Sequence, residues 1–197
     1  MESPRGNAAG AFFGMEAQRR VLLEDDEVQR TISRMAHEVV EKNGGVQDLS
    51  LIGIRSRGAY LVRRIAQKIE TLNKDGPPVG VLDVTAYRDD IEKEKRAAEP
   101  PRMEIPVPVD DRTVVLVDDV INTGRTIRAA LDMLSHLGKP KKILVAILVD
   151  RGDRELPIRA DIVGKNIQVQ ESERVNVLLQ ESDGTDLVTV TQHPQRR

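Results

Sequence analysis

The stretch VVLVDDVINTGRTIRAAL, Val114 to Leu131, decides the fold. Its apolar start, Val114 to Val117, reads as a buried strand. The adjacent aspartates Asp118 and Asp119 follow, then the polar turn Asn122-Thr123-Gly124-Arg125-Thr126. From Thr126 to Leu137 the apolar spacing is helical, and Gly138 and Pro140 stop it. This is a strand, a turn and a helix, with two like charges at the point where the strand gives way to the turn.

Working outward, the same unit recurs. Leu49–Ile54 (LSLIGI) reads as a buried strand, followed by Arg55-Ser56-Arg57-Gly58 and a helix from Ala59 to about Leu72. Val79 to Ala86 alternates as a strand does, and Lys142 to Val149 (KILVAILV) is a continuous apolar strand of the kind found in parallel sheets covered on both faces. Upstream, Asp25-Asp26-Glu27 places acid at a helix start, and Val28 to Asn43 carries Ile32, Met35, Ala36, Val39 and Val40 on one face. Two short strand-like runs close the pattern, Val175–Leu179 and Leu187–Thr191, around the turn Ser182-Asp183-Gly184. Strand–helix alternation predicts an α/β protein with a mostly parallel central sheet flanked by helices. In such sheets ligands sit beyond the carboxyl ends of the strands, where both polar loops emerge.

Composition narrows the chemistry. The 197 residues contain no Cys and no Trp, with two Tyr and two Phe, so the core is aliphatic and thiolate metal sites are excluded. The net charge of −2 gives no global support for nucleic-acid binding, although a local basic face is compatible with it. No apolar run approaches the roughly 20 residues of a membrane span, and a cytoplasmic location is expected. Residues 1–14 are expected to form a mobile leader. Residues 87–103 are polar, charged and long for a connection, as functional segments often are.

The loops carry the functional signal. A glycine between hydroxyl residues at a helix start offers free N–H and O–H groups to a phosphate. The two carboxylates before it repel phosphate, but they accept hydrogen bonds from vicinal hydroxyls or hold Mg²⁺ through water. A phosphorylated sugar such as ribose 5-phosphate satisfies both halves. A plain turn with two solvated aspartates is the structural alternative; the glycine, the two threonines and the strand–helix context argue against it. G-x-x-x-x-G-K-[ST] and G-x-G-x-x-G are both absent, which excludes P-loop and dinucleotide readings.

VVLVDDVINTGRT resembles the phosphoribosyl pyrophosphate (PRPP) signature of type I phosphoribosyltransferases. GIRSRG (Gly53–Gly58), LDVTAYRDD (Leu82–Asp90), LVDRGDRELPIRADIVGKN (Leu148–Asn166) and the helix MAHEVVEKN (Met35–Asn43) are similar to the PyrR family, over roughly Val28 to Thr191. Members combine uracil phosphoribosyltransferase activity with attenuation of pyrimidine operons. The resemblance implies a type I phosphoribosyltransferase fold over residues 15–197, with a small hood from N- and C-terminal segments, a flap over about 87–103 and a base-site and hood segment over about 150–191. It also implies transfer from PRPP to uracil with Mg²⁺, giving UMP and pyrophosphate. A purine-base transferase, or an RNA-binding regulator with vestigial catalysis, is the alternative.

Carried over residue by residue, Asp118 and Asp119 would hold the ribose hydroxyls, with Mg²⁺ reached through PRPP and water rather than through a protein-only site. Val120, Ile121, Asn122, Thr123, Gly124, Arg125 and Thr126 would form the 5′-phosphate loop. Ser56, Arg57 and Gly58 would form the pyrophosphate loop, with a non-proline cis peptide near Arg55-Ser56. Tyr87, Arg88, Asp89 and Asp90 match the root of the flap; Arg57 and Arg88 would stabilise the leaving pyrophosphate. Arg151, Ile162 and Val163 match the base site. Relatives commonly carry an aromatic residue at Ile162, His at Asp153 and Tyr at Asn122, and Pro-Thr-Ser where Gln168-Val169-Gln170 stands. Loss of the stacking ring predicts weaker uracil use. For UMP- or UTP-dependent binding of leader mRNA the resemblance points to Ser33, Arg34, His37, Lys42, Arg154, Arg159 and Lys165. A homodimer or larger homo-oligomer is expected.

Overall fold

The computed structural model describes residues 19–87 and 103–192. Six strands form the main sheet: β2 (Leu49–Ile54), β3 (Val79–Leu82), β4 (Met103–Glu104), β5 (Thr113–Ile121), β6 (Lys142–Asp150) and β7 (Ile162–Asn166), in the order β4-β3-β2-β5-β6-β7. All neighbours are parallel except β3 and β4. Helices α1 (Asp25–Asn43) and α2 (Gly58–Asn73) pack on one face and α3 (Arg125–Leu137) on the other.

Burial explains why the strands read as unbroken apolar runs. Val115 and Val117 of β5 face Ile32, Leu61 and Ile65 of α1 and α2, while Val114 and Leu116 face Ile127, Met133 and Leu134 of α3. With both faces covered, alternation between apolar and polar residues disappears. Each such fully buried aliphatic side chain contributes about 1.5–3 kcal/mol.

Local signals set the helix ends. A capping box starts α1, with the Glu24 N–H donating to Glu27 Oε2 at 3.0 Å, and Gly44 ends it at φ 76°. The helix therefore begins three residues before the expected Val28. The strand expected over Val79–Ala86 stops at Leu82 and passes into a 3₁₀ turn, Thr85–Tyr87.

A second, antiparallel sheet joins both ends of the described chain: β1 (Arg20–Leu23), β9 (Leu187–Gln192) and β8 (Glu173–Leu178), in the order β1-β9-β8. Together with the short helix α4 (Gln180–Asp183) it is the expected hood. The hood is tied to α2 by a compact ionic network. Arg64 donates from Nε to Glu181 Oε1 at 2.8 Å and from Nη2 to Asp186 Oδ1 at 2.8 Å. Asp186, only 2% exposed, also accepts from Gln29 Nε2 at 2.7 Å and from the Gln180 N–H at 2.8 Å. Such a pair is tolerable inside because every charge has several partners. Among the described residues no helix is long and apolar enough to cross a membrane.

Candidate active site

Between β2 and β5 the connection order of the sheet reverses, and two loops leave there from the carboxyl ends of the strands. The first is Arg55-Ser56-Arg57, whose Arg55–Ser56 peptide is cis. Glycines let this loop approach the sheet. A Cβ on Gly58 would lie 2.5 Å from the Val117 carbonyl oxygen and 3.4 Å from Asp118 Oδ1. A Cβ on Gly53 would strike the Gly58 carbonyl. The pyrophosphate-loop candidates and Asp118 are therefore in direct apposition.

The second loop follows β5, which does not end before the aspartates. Pairing with β6 continues to Ile121 opposite Asp150, so Asp118 and Asp119 lie within the strand. Asp118 is buried, and its Oδ1 accepts the Asp119 N–H at 2.9 Å. Asp119 Oδ1 accepts the Val120 N–H at 2.8 Å. Burial pushes the Asp119 carboxyl up, against the opposing pull of its hydrogen bonds with Val120 and Asp118 and the nearby Arg57 guanidinium.

The carbonyls of the next turn are claimed one after another. The Ile121 carbonyl accepts from the Arg151 N–H at 3.2 Å, and that of Asn122 from Arg154 Nη1 at 2.8 Å. The Thr123 carbonyl accepts from the N–H groups of both Glu155 and Leu156 at 3.1 Å, and that of Gly124 from the Arg128 N–H at 3.0 Å. The N–H groups of Asn122, Thr123 and Gly124 have no partner among the described residues. Gly124 adopts φ 94° at the N-cap of α3. A turn whose acceptors are tied back and whose donors are free, at a helix N-terminus, is built to bind an anion. The segment Asp150–Ile158 supplies this scaffolding. Arg154 Nη2 pairs with Asp150 at 2.6 Å, Glu155 pairs with Arg125 at 2.7 Å, and Leu156 and Ile158 pack 3.5 Å from where a Gly124 Cβ would stand.

Asp118, Val120–Gly124 and Thr126 line one cavity of about 350 Å³ with Arg151, and with Arg174 and Val175 from the hood. Arg174 has no individual signal in the sequence. It is an exposed charged residue on a half-buried strand, and the topology brings it over the loop. Among the described residues, three buried side-chain polar atoms lack a hydrogen-bond partner: Arg57 Nε, Asn122 Oδ1 and Arg151 Nε. All three belong to this site, as expected where a ligand rather than the fold completes the bonding.

The expected base site is only partly assembled. Arg151 lines the cavity, but Ile162 is fully buried in the aliphatic cluster with Val28 and Ile32, and Val163 does not line the cavity. Of the flap root, Tyr87 is exposed; Arg88, Asp89 and Asp90 lie outside the described residues, as do residues 1–14.

Residues 22–179 match the model of the phosphoribosyl transferase domain. The chain is 51% identical over 169 residues to the bifunctional protein PyrR of Chloroflexus aurantiacus, covering 86% of this chain and 93% of the relative. It is 47% identical over 175 residues to the bifunctional protein PyrR of Bacillus subtilis, covering 88% and 97%. The chain belongs to the PyrR family of the type I phosphoribosyltransferases. Its fold is shared with the hypoxanthine phosphoribosyltransferase of Trypanosoma cruzi, with a TM-score of 0.67 at 16% identity over 89% of this chain and 97% of that one.

Within this PyrR-family fold the seven expected RNA-contact residues divide. Arg34, on α1, is tied by Nη1 to Glu38 at 2.6 Å and by Nη2 to the Gly164 carbonyl at 2.5 Å, next to Lys165. Lys165 donates to the Leu22 carbonyl at 3.1 Å, and Arg154 is engaged with the Asn122 carbonyl. Ser33 bonds back to the Gln29 carbonyl at 2.9 Å. His37, Lys42 and Arg159 are exposed.

Proposed function

We propose that this site transfers the 5-phosphoribosyl group of PRPP to uracil. The C1–oxygen bond to pyrophosphate breaks, a bond from C1 to the base nitrogen forms, and that nitrogen loses its proton, giving UMP and pyrophosphate. One observation carries the proposal: Asp118 and the three unpartnered N–H groups of Asn122–Gly124 open on a single cavity, and the Arg57 loop abuts Asp118. The N–H groups and the Thr123 and Thr126 hydroxyls suit the 5-phosphate. The carboxylates suit the ribose hydroxyls, and Arg57 suits the charge that develops on leaving pyrophosphate.

Family membership implies chemistry that uses PRPP with Mg²⁺. No group of three or more His, Asp or Glu side chains among the described residues could hold a metal. The Asp118–Asp119 pair suits a hard cation whose remaining ligands are substrate oxygens and water. When bound, the ion neutralises pyrophosphate charge; orienting the sugar and its phosphate falls to the protein groups above.

UMP formation from uracil, PRPP and Mg²⁺ tests the proposal. The wild-type chain is expected to turn over, and Asp118→Asn/Asp119→Asn is not. A wild type that binds PRPP and makes no UMP would overturn it. A purine acceptor would use the same PRPP loops; the close relationship to PyrR proteins supports the pyrimidine. Those relatives are named bifunctional, and UMP- or UTP-dependent binding of pyrimidine-operon leader mRNA, by a homodimer or larger assembly, is the second activity. The exposed His37, Lys42 and Arg159 support it.

A further inference from the structure

Arg57 and the hood are joined directly. Arg57 Nη2 donates to Asp183 Oδ1 at 3.1 Å and to Oδ2 at 3.3 Å. Both contacts fall on one nitrogen. Nε is buried without a partner, and Nη1 has no hydrogen-bond partner among the described residues. A guanidinium gripped at one corner keeps its accessible free donor, Nη1, in a fixed orientation.

Asp183 is itself held. Its Oδ2 accepts from Ser182 Oγ at 2.6 Å and from the Leu179 N–H at 2.9 Å. The short helix that carries it is pinned by Arg64, through Glu181 on one side and Asp186 on the other. Arg57, at the N-cap of α2, and Arg64, within it, stand seven residues apart, so the start of the helix meets the hood at both points. The second contact is a fixed anchor, and the first reaches a loop expected to meet pyrophosphate.

We propose that Asp183 is a positioning residue for the pyrophosphate group. It orients Arg57 so that Nη1 meets a phosphate oxygen, and it couples the hood to the pyrophosphate loop. The proposal rests on the assignment of Arg57 to pyrophosphate made above. Without Asp183 the arginine must be ordered by the ligand at the moment of binding, which lowers affinity for the pyrophosphate part and leaves the acceptor base untouched.

Calorimetric titration with inorganic pyrophosphate, beside steady-state kinetics, tests this. Asp183→Ala is expected to weaken pyrophosphate binding and raise KM for PRPP by up to about 10-fold, with KM for uracil unchanged. Asp183→Asn, which keeps the shape and one acceptor oxygen, should recover most of the loss. In an Arg57→Ala background, Asp183→Ala should have no further effect on pyrophosphate binding. Unchanged or tighter pyrophosphate binding in Asp183→Ala overturns the proposal, as do losses at Arg57 and Asp183 that simply add. A wild type that binds pyrophosphate but makes no UMP sinks the transferase reading alone. Normal turnover with an unaltered Asp183→Ala sinks this inference alone.

Discussion

Arg154 Nη1 donates to the Asn122 carbonyl at 2.8 Å, so a residue of the segment after β6 holds the backbone of the turn after β5. The same guanidinium donates to the carbonyls of Gly152 and Ile158 at 2.9 Å and pairs with Asp150. Family resemblance alone would make it a surface cation awaiting RNA. Its geometry makes it a brace.

Arg154→Ala should therefore cost about 1–3 kcal/mol, since it strands the half-buried Asp150 carboxylate and the Asn122 carbonyl. Urea denaturation measures the loss, and amide exchange at Glu155 and Leu156, whose N–H groups donate to the Thr123 carbonyl, should accelerate. An unchanged midpoint would refute the bracing role. For the same reason, lost RNA binding in Arg154→Ala does not identify a contact. His37→Ala is the cleaner probe, with weaker UMP-dependent binding of a leader hairpin expected at unchanged stability.

The Arg64 network should make stability depend on pH in a defined direction. Arg64 holds Glu181 below the ordinary carboxylate range; burial pushes Asp186 up, but the hydrogen bonds from Arg64 and the Gln180 N–H outweigh it and leave Asp186 low as well. Groups whose folded pKa is depressed stabilise the fold above their unfolded pKa, about 4, and lose that contribution as pH falls through the folded value. Arg64→Ala leaves the buried Asp186 charge uncompensated and should cost about 3–5 kcal/mol at neutral pH. Thermal melts of the variant and wild type should converge toward low pH. A gap that is constant with pH would contradict the electrostatic origin.

Asp119 has the opposite sign. Burial holds its carboxyl above the usual range, so ionisation opposes folding, and stability falls as pH rises between the unfolded and folded values. Asp119→Asn keeps an acceptor for the Val120 N–H and removes the charge. It is expected to stabilise the fold at neutral pH by about 0.5–2 kcal/mol while abolishing turnover. Denaturation and the UMP assay on the same preparation check both halves; a destabilised variant would contradict the burial account.

The sheet was legible because its strands are apolar on both faces and its loops are punctuated by glycine. The weaker elements were not. Ile162–Asn166 carries Gly164 and Lys165 and reads as loop; it is a strand because β6 offers an open edge. Arg20–Leu23 is four residues long and gains its structure from β9, far along the chain. Ile162 is placed at the base by the motif alone, and in the fold its side chain lies in the aliphatic core. Arg64, Arg174, Asp183 and Asp186 carry no local pattern, since their roles exist only once the hood lies across α2.

The pairing of β1 with β9 has a consequence for how the chain is made. A ribosome releases Arg20–Leu23 early, but those residues have no partner until Leu187–Gln192 has emerged. The parallel sheet can assemble from nearer neighbours in the meantime, with the hood as a late addition. Nascent chains arrested before residue 187 would expose the phosphate loop without its cover. The hood would thus settle over the cavity only after Gln192 has emerged, when β1 first meets β9.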